Sequence, residues 1–236
     1  MKRFYTLVST QKEQGSYAVM LDGKAVKTPS KGMLLCGTEA LANEVLKEWA
    51  AQEETIKPDT MPLTQLVSTK LDQVAQQRAA MSAEVLKYFD TDLLCYRTDQ
   101  PPELASRQAE HWDKWLNWFA EKFGVALETT TTLNALQHPP AAHEKVSDCV
   151  KSLDGDHFTI LQLLTPLSGS LVLALAFTQQ LISADELFNA IRVEEQFQAE
   201  IYNEEKYGPD PAQEKKDKLV KVDLAAAEQY LKLIAA

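Results

Sequence analysis

The sequence has few of the residues that build disulfide frameworks and metal sites. Its three cysteines, Cys36, Cys95 and Cys149, lie far apart without CxxC spacing, so neither a disulfide framework nor a zinc site is expected. The four histidines form no HExxH motif, and no serine lies in a nucleophile elbow. We therefore expect no catalytic residue, no metal, no cofactor and a reducing compartment.

Long apolar runs and an excess of positive charge are also absent. The longest apolar run, Leu171 to Phe177, is far shorter than the roughly 20 residues of a membrane helix. The formal net charge is −10, which disfavours nucleic acid and anionic membrane surfaces because both require basic patches. We expect no nucleic acid, no membrane insertion, and a cationic or hydrophobic protein partner.

Composition and local patterns predict an α+β fold. Only 8 residues are glycine and 45% are hydrophobic, which favours helices around a real core. Near the N-terminus, alternation over residues 17–21 and the turn dipeptide Asp22-Gly23 predict a β-hairpin. Thr38 is placed to cap a helix over residues 39–53. Prolines at 58 and 62 then suggest a small α/β domain at 1–60 and a larger helical domain at 61–236.

The second part is dominated by helical spacing. Trp112, Trp115, Phe119 and Phe123 recur every three or four residues, and Gly124 is placed to end that helix. Further apolar helices are predicted at 158–164, 171–177 and 220–234, the last after a break at 208–211. The tract 129–132 fits either a strand or an extended link.

Two features of this helical part suggest a surface for a partner. Trp118 is displaced from the aromatic stripe by one position and is predicted to reach the surface, where exposed aromatic residues anchor protein partners. A single helix over residues 185–202 carries a mixed seam, formed by Phe188, Ile191, Glu195, Gln198 and Tyr202, with Glu194 in the adjoining seam.

An unpaired carboxylate in such a seam is costly to bury. Three interpretations of Glu195 therefore remain open: an internal ion pair, for example with Arg97, exposure at the helix rim, or a seam that opens to a partner.

The segment from Tyr88 to Arg97 combines aromatic, acidic, thiol and guanidinium groups in ten residues. Asp92 is predicted to be hydrogen-bonded within the protein and locked by Arg97. An alternative is that Asp90, Asp92 or Glu195 serves a hydrolase or lyase, which requires a pocket in which titratable groups converge. A further alternative is an adaptor for an unrelated partner.

The Tyr88–Arg97 phrase resembles the signature of the assembly chaperones that hold the α subunit of the F-type ATP synthase head. After Gln198 that family carries a Trp-Gly pair where this sequence reads Tyr202-Asn203. The other elements of the resemblance are, in chain order, Leu21-Asp22-Gly23-Lys24, Lys27-Thr28-Pro29, Glu48-Trp49, Met61-Pro62-Leu63-Thr64, Gln108, Trp112-Asp113, Ser170 to Ala176, Glu194-Glu195 and Gln198.

The resemblance implies an ATP-independent, non-catalytic chaperone that binds the free α subunit and promotes assembly of the head. It implies a structural role for Trp49, Asp92, Arg97 and Trp112. Partner contact is predicted for Glu194, Glu195, Gln198, Tyr202 and Trp118. Mitochondrial relatives would need a transit peptide, and the residues from Met1 to Tyr5 do not resemble the start of one. We therefore expect a protein of the bacterial cytoplasm.

Overall fold

The chain begins with a small antiparallel sheet. The computed structural model describes residues 1–13, 15–132, 134–202, 208 and 210–236, and the sheet within these ranges has four strands. They are β1 (Val8–Glu13), β2 (Ser16–Leu21), β3 (Lys24–Ala25) and β4 (Leu35–Cys36). Strand β2 is central, because β1, β3 and β4 all pair with it in antiparallel register.

The predicted hairpin joins β2 to β3. Asp22 and Gly23 have φ angles of 48° and 78°, the left-handed conformation that a tight hairpin turn requires. The Asp22 carboxylate also accepts hydrogen bonds from the backbone N–H groups of Thr6 and Leu7, at 3.1 and 2.8 Å. This turn is therefore fixed both to its own strands and to the N-terminal segment.

Helix α1 (Glu39–Ala50) covers the sheet. The predicted cap is confirmed, since Thr38 Oγ1 accepts a hydrogen bond from the Leu41 N–H at 3.1 Å. The same hydroxyl donates to the carbonyl of Leu233, near the other end of the described chain, at 2.7 Å. The helix ends at Ala50, before the predicted residue 53.

The rest of the fold is mainly helical, so the predicted α+β class is confirmed. Its helices are α2 (Pro62–Thr69), α3 (Ala75–Lys87), α4 (Pro102–Phe123), α5 (Pro140–Ser152), α6 (Gly155–Ser168), α7 (Leu171–Thr178), α8 (Ala184–Ile191), α9 (Val193–Ile201) and α10 (Pro211–Ile234). Every residue of α7 is buried, as its uniformly apolar sequence predicts. No helix in the described ranges combines the length and apolar character needed to cross a bilayer.

Several local predictions are confirmed in this part. Gly124 ends α4 with a φ of 62°, and α10 contains the helix predicted over residues 220–234. Thr130 forms a parallel bridge with Tyr96, so the 129–132 tract is an extended link. Pro209, within the predicted break, lies outside the described residues. All three cysteines are free.

Glu48 joins the two predicted domains. Its carboxylate accepts hydrogen bonds from the N–H groups of Leu63 and Thr64, at 2.7 and 2.8 Å, and from the Thr64 hydroxyl at 2.7 Å. It therefore caps the start of α2 from the end of α1. The hydrophobic core includes residues on both sides of this junction, and the division at residues 60 and 61 stays a prediction.

We expect Glu48→Ala to lower the free energy of unfolding by about 2 kcal/mol, because two helix N–H groups lose their acceptor. Urea denaturation followed by circular dichroism measures this change. The matched control is Glu53→Ala, which removes an exposed glutamate nearby. Equal losses in both variants would show that Glu48 is not an anchor of α2.

Candidate partner-binding surface

The signature segment Tyr88–Arg97 is fixed to the buried helix α7. Asp92 is fully buried. Its carboxylate accepts hydrogen bonds from the N–H groups of Leu94, at 3.1 Å, and Val172, at 3.0 Å, the latter in the first turn of α7. The Leu93 N–H donates to the Gly169 carbonyl at 2.9 Å. The segment and the α6–α7 connection therefore form one hydrogen-bonded unit.

Burial dominates the electrostatics of Asp92. Removal from water raises the pKa of its carboxyl to about 6, although the surrounding N–H donors act in the opposite direction. The predicted pairing of Arg97 with Asp92 is wrong, because Arg97 forms an ion pair with Asp113 instead. Asp92 faces the start of α7, where backbone donors satisfy it, and Arg97 turns towards α4.

Arg97 instead connects the signature segment to α4. Its Nε donates to the Leu94 carbonyl at 2.7 Å. Its Nη2 lies 2.9 Å from Asp113 Oδ1, as a close ion pair without good hydrogen-bond alignment. The guanidinium also lies 5.2 Å from the centre of the Trp112 ring, within the range of a cation–π contact. Arg97 therefore positions α4 relative to the segment.

Helix α4 carries this connection on to α8 and α9. The Trp112 Nε1–H donates to the Ala190 carbonyl in α8 at 2.7 Å. Gln108 accepts from the Thr98 N–H at 2.9 Å and donates to Glu194 Oε1 in α9 at 2.8 Å. The amide side chain of Gln108 thus connects α9 with the loop that precedes α4.

The predicted single helix over residues 185–202 is wrong. The chain breaks between α8 and α9 at Arg192, whose φ and ψ are −115° and 13°. This arginine is buried, with its guanidinium 2.8 Å from Glu195 and 2.9 Å from Asp217 in α10. The internal ion pair suggested for Glu195 is present, but its partner is Arg192 and not Arg97.

The break changes which residues of the mixed seam meet solvent. Phe188 and Ile191 are buried in α8, whereas Gln198 is exposed and Glu195 is half-buried in α9. Tyr202, just after α9, is 74% exposed. The predicted seam is therefore not a continuous buried stripe. In α9 the buried residues are Val193 and Phe197, not Glu195 and Gln198.

The outward side of α9 combines apolar and acidic groups. We call it the α9 face, formed by Glu194, Glu195, Gln198, Ile201 and Tyr202. Successive helical residues turn by about 100°, so these five lie within about a third of the helix circumference. Ile201 is 62% exposed. Asn203, which follows this face, lies outside the described residues.

An ion pair borders the α9 face on the side of α4. Arg107 donates to both oxygens of Glu200, at 2.7 and 2.6 Å, and its guanidinium lies 5.2 Å from the centre of the Phe197 ring. Bidentate pairs of this kind fix geometry better than single contacts. With the contacts of Gln108 and Arg192, this pair holds α9 in place, and Ile201 and Tyr202 remain exposed in the part of the chain that the structure describes.

The other predicted site residues lie elsewhere. Trp118 is half-buried and packs edge-on against Phe123, with ring centres 6.4 Å apart, near the end of α4 that is remote from Gln108. The structure does not bring it to the α9 face. Trp49 is half-buried against Tyr5, whose hydroxyl donates to the Trp49 carbonyl at 2.7 Å.

The carboxylates of the alternative enzyme hypothesis do not converge. Asp90 lies 3.0 Å from His143 in α5, Asp92 is bound by backbone N–H groups, and Glu195 pairs with Arg192. Each has its own partner on a different element. This arrangement gives no common pocket in which they could act together on a substrate.

The contacts of Gln108 with Glu194 and of Arg107 with Glu200 were missed by the sequence reasoning. Their partners are separated by 86 and 93 residues. Gln108 and Glu194 are both among the residues that carry the resemblance, but a pattern in one sequence does not indicate which of its members are in contact.

Comparison with known proteins identifies the family. Residues 2–120 match the family described as ATP12 chaperone protein. The crystal structure of Atp12 from Paracoccus denitrificans is similar with a TM-score of 0.88 and 35% identity, over 99% of this chain and 98% of that chain. The chain belongs to the ATP12 chaperone family.

Two further proteins are similar to this chain. A crystal structure of an Agrobacterium tumefaciens protein has a TM-score of 0.87 and 30% identity, over 98% of this chain and 85% of that chain. The mitochondrial atp12 protein of Schizosaccharomyces pombe is 26% identical over 166 residues, which cover 65% of this chain and 57% of that protein. The chain thus spans little more than half of this curated relative.

Proposed function

We propose that this ATP12 family member is a non-catalytic chaperone that binds the free α subunit of the F-type ATP synthase head. It shields the subunit from aggregation without using ATP and releases it when the β subunit docks. The observation that carries the proposal is the similarity to Paracoccus denitrificans Atp12 over nearly the whole of both chains. We further propose that it acts in the bacterial cytoplasm.

We infer that the α9 face is the surface that contacts the client. Its exposed Ile201 and Tyr202 provide apolar anchors, and its two glutamates provide charge selectivity. The side chains of Gln108, Arg107 and Arg192 bind glutamates of α9 and hold the helix in position, which limits the entropy lost on binding. A small apolar area of this kind suits a client that must later be released.

The two proposed domains have different roles in client binding. The 61–236 domain carries the α9 face and the signature segment that supports it through α4. The 1–60 domain packs α1 against α2 and α10, so it buttresses the helical part without contributing to the α9 face.

The direct test is aggregation of purified α subunit followed by light scattering, with this protein present and nucleotide absent. We expect suppression at near-stoichiometric ratios. Tyr202→Ser is expected to weaken the measured affinity about tenfold, since it removes an exposed anchor. The control Leu181→Ser removes a residue that is 49% exposed outside this face. Neither complex formation nor suppression by the wild-type protein would contradict the proposal.

Glu195→Gln separates binding from folding. Arg192 keeps Asp217 as a partner in this variant, and Glu195 is itself partly exposed, so we expect a nearly unchanged melting temperature. The affinity for the α subunit is expected to fall severalfold and to become less sensitive to salt, because a rim charge is lost. Both quantities are measured on one preparation.

The other outcomes have distinct meanings. A lower melting temperature with normal affinity would assign Glu195 to the support of Arg192. Normal values for both would leave it a solvated rim charge and contradict its place in the contact surface.

A further inference from the structure

A second surface lies on the far side of α10 from Arg192. Helices α2, α6 and α10 form a groove, which we call the α10 groove. Its lining includes Leu66, Leu163, Leu219, Val222, Asp223 and Ala226, with polar side chains of α2 and α6 among the rest. Leu219 is 57% and Val222 41% exposed. Apolar side chains of one helix are thus left open to solvent beside a hollow that they do not fill.

The acidic residue in this groove, Asp223, has no cation beside it among the described residues. Asp223 is half-buried, and removal from water raises the pKa of its carboxyl. Within the described ranges it has neither a hydrogen bond nor an ion pair. The partly buried Asp156 and Asp217 differ, because they contact Lys70 at 2.6 Å and Arg192 at 2.9 Å.

A carboxylate partly removed from water is stabilised by a cation placed beside it. Asp59 on the rim of the groove adds a second negative charge. The combination of an apolar floor with acidic groups therefore selects a segment that is apolar on one side and carries a basic residue. A second copy of this chain is a poor match, since each copy has a net charge of −10.

We propose that the α10 groove binds an amphipathic helix of a partner protein, with apolar side chains on Leu219 and Val222 and one lysine or arginine on Asp223. The groove lies on α2, α6 and α10, whereas the α9 face lies beside α4. The inference is independent of the proposed function, because it specifies the chemistry of the segment rather than the identity of the client.

The test uses the full chain and a fluorescently labelled synthetic helix with leucines at i, i+3 and i+7 and a single lysine. A matched peptide has glutamate in place of that lysine. Fluorescence anisotropy is expected to show saturable binding that is about tenfold weaker for the glutamate peptide. Leu219→Ser weakens binding of the lysine peptide, whereas Leu181→Ser, which removes an exposed leucine elsewhere, leaves it unchanged.

Charge substitutions at Asp223 provide the second arm. Asp223→Asn reduces the preference for the lysine peptide, and Asp223→Lys reverses it. Glu214→Gln, which removes an exposed carboxylate from the same helix, preserves it. Because no cation among the described residues pairs with Asp223, we expect Asp223→Asn to keep or raise the melting temperature.

Three results would overturn the inference. One is equal binding of both peptides by the wild-type protein. Another is an unchanged preference in Asp223→Lys. The third is a dimer detected by sedimentation that is lost in Leu219→Ser, which would assign the groove to a second copy of the chain.

Discussion

Replacement of Asp92 by alanine is expected to lower the free energy of unfolding by about 3 kcal/mol. The N–H groups of Leu94 and Val172 lose their acceptor in a region without access to water, and an unsatisfied buried donor costs about 1 to 3 kcal/mol. Helix α7 also loses the carboxylate at its positive end. Urea denaturation at neutral pH measures the loss. The molecules that remain folded are expected to bind the client with unchanged affinity, so binding falls only by the fraction of protein that is unfolded.

The pH dependence of Asp92 has a defined sign. Burial raises its pKa to about 6 in the folded protein, above the value of about 3.9 in an unfolded chain. Between these values the folded protein holds a proton that the unfolded chain has lost. The pH-dependent part of the contribution of Asp92 to stability is therefore fully present below about pH 4 and is lost as the pH rises through about 6. The loss expected at neutral pH comes from the hydrogen bonds to Leu94 and Val172.

Asp92→Asn isolates this effect, because asparagine does not titrate. The stability of the wild-type protein relative to Asp92→Asn is expected to fall as the pH rises from about 4 to about 6, measured by urea denaturation of both proteins. The opposite slope would mean that the N–H groups at the start of α7 hold the carboxylate ionised.

Replacement of Trp112 by alanine has the largest expected effect, a loss of about 4 kcal/mol. This side chain is 1% exposed, and its Nε1–H is the donor to the Ala190 carbonyl. The substitution removes a large apolar volume and leaves a buried carbonyl without its donor. Because Trp112 joins α4 to α8, the loss extends to the support of the α9 face.

Trp112→Phe separates these two contributions. It keeps an aromatic ring, removes the donor and loses only part of the side-chain volume, so we expect a loss of about 1 to 2 kcal/mol. Trp118→Ala, at the half-buried tryptophan of the same helix, is the control and should cost less than Trp112→Ala. Similar losses for the two alanine variants would contradict the central role of Trp112.

The predictions that succeeded depend on contacts between neighbours in the sequence. The turn at Asp22-Gly23, the cap at Thr38 and the end of α4 at Gly124 follow from conformations that only a few residue types favour. The buried helix α7 follows from an apolar sequence with no polar side. These features are encoded within one or two turns of chain.

The candidate site was only partly predictable, because its geometry depends on distant partners. The sequence located the mixed apolar and acidic character of residues 188–202, but it could not indicate the break at Arg192. That break accompanies a contact with Asp217 in α10. The expected pair of Arg97 with Asp92 failed for the same reason, since Val172, 80 residues away, satisfies the aspartate instead.

The contact of the Thr38 hydroxyl with Leu233 bears on when the fold can be completed during translation. It caps α1 near the start of the chain and also donates to the carbonyl of Leu233. A domain at the N-terminus usually folds while the remainder is still being translated. Here the sheet and α1 can form early, but this contact with the last turn of α10 closes only after residue 233 has left the ribosome.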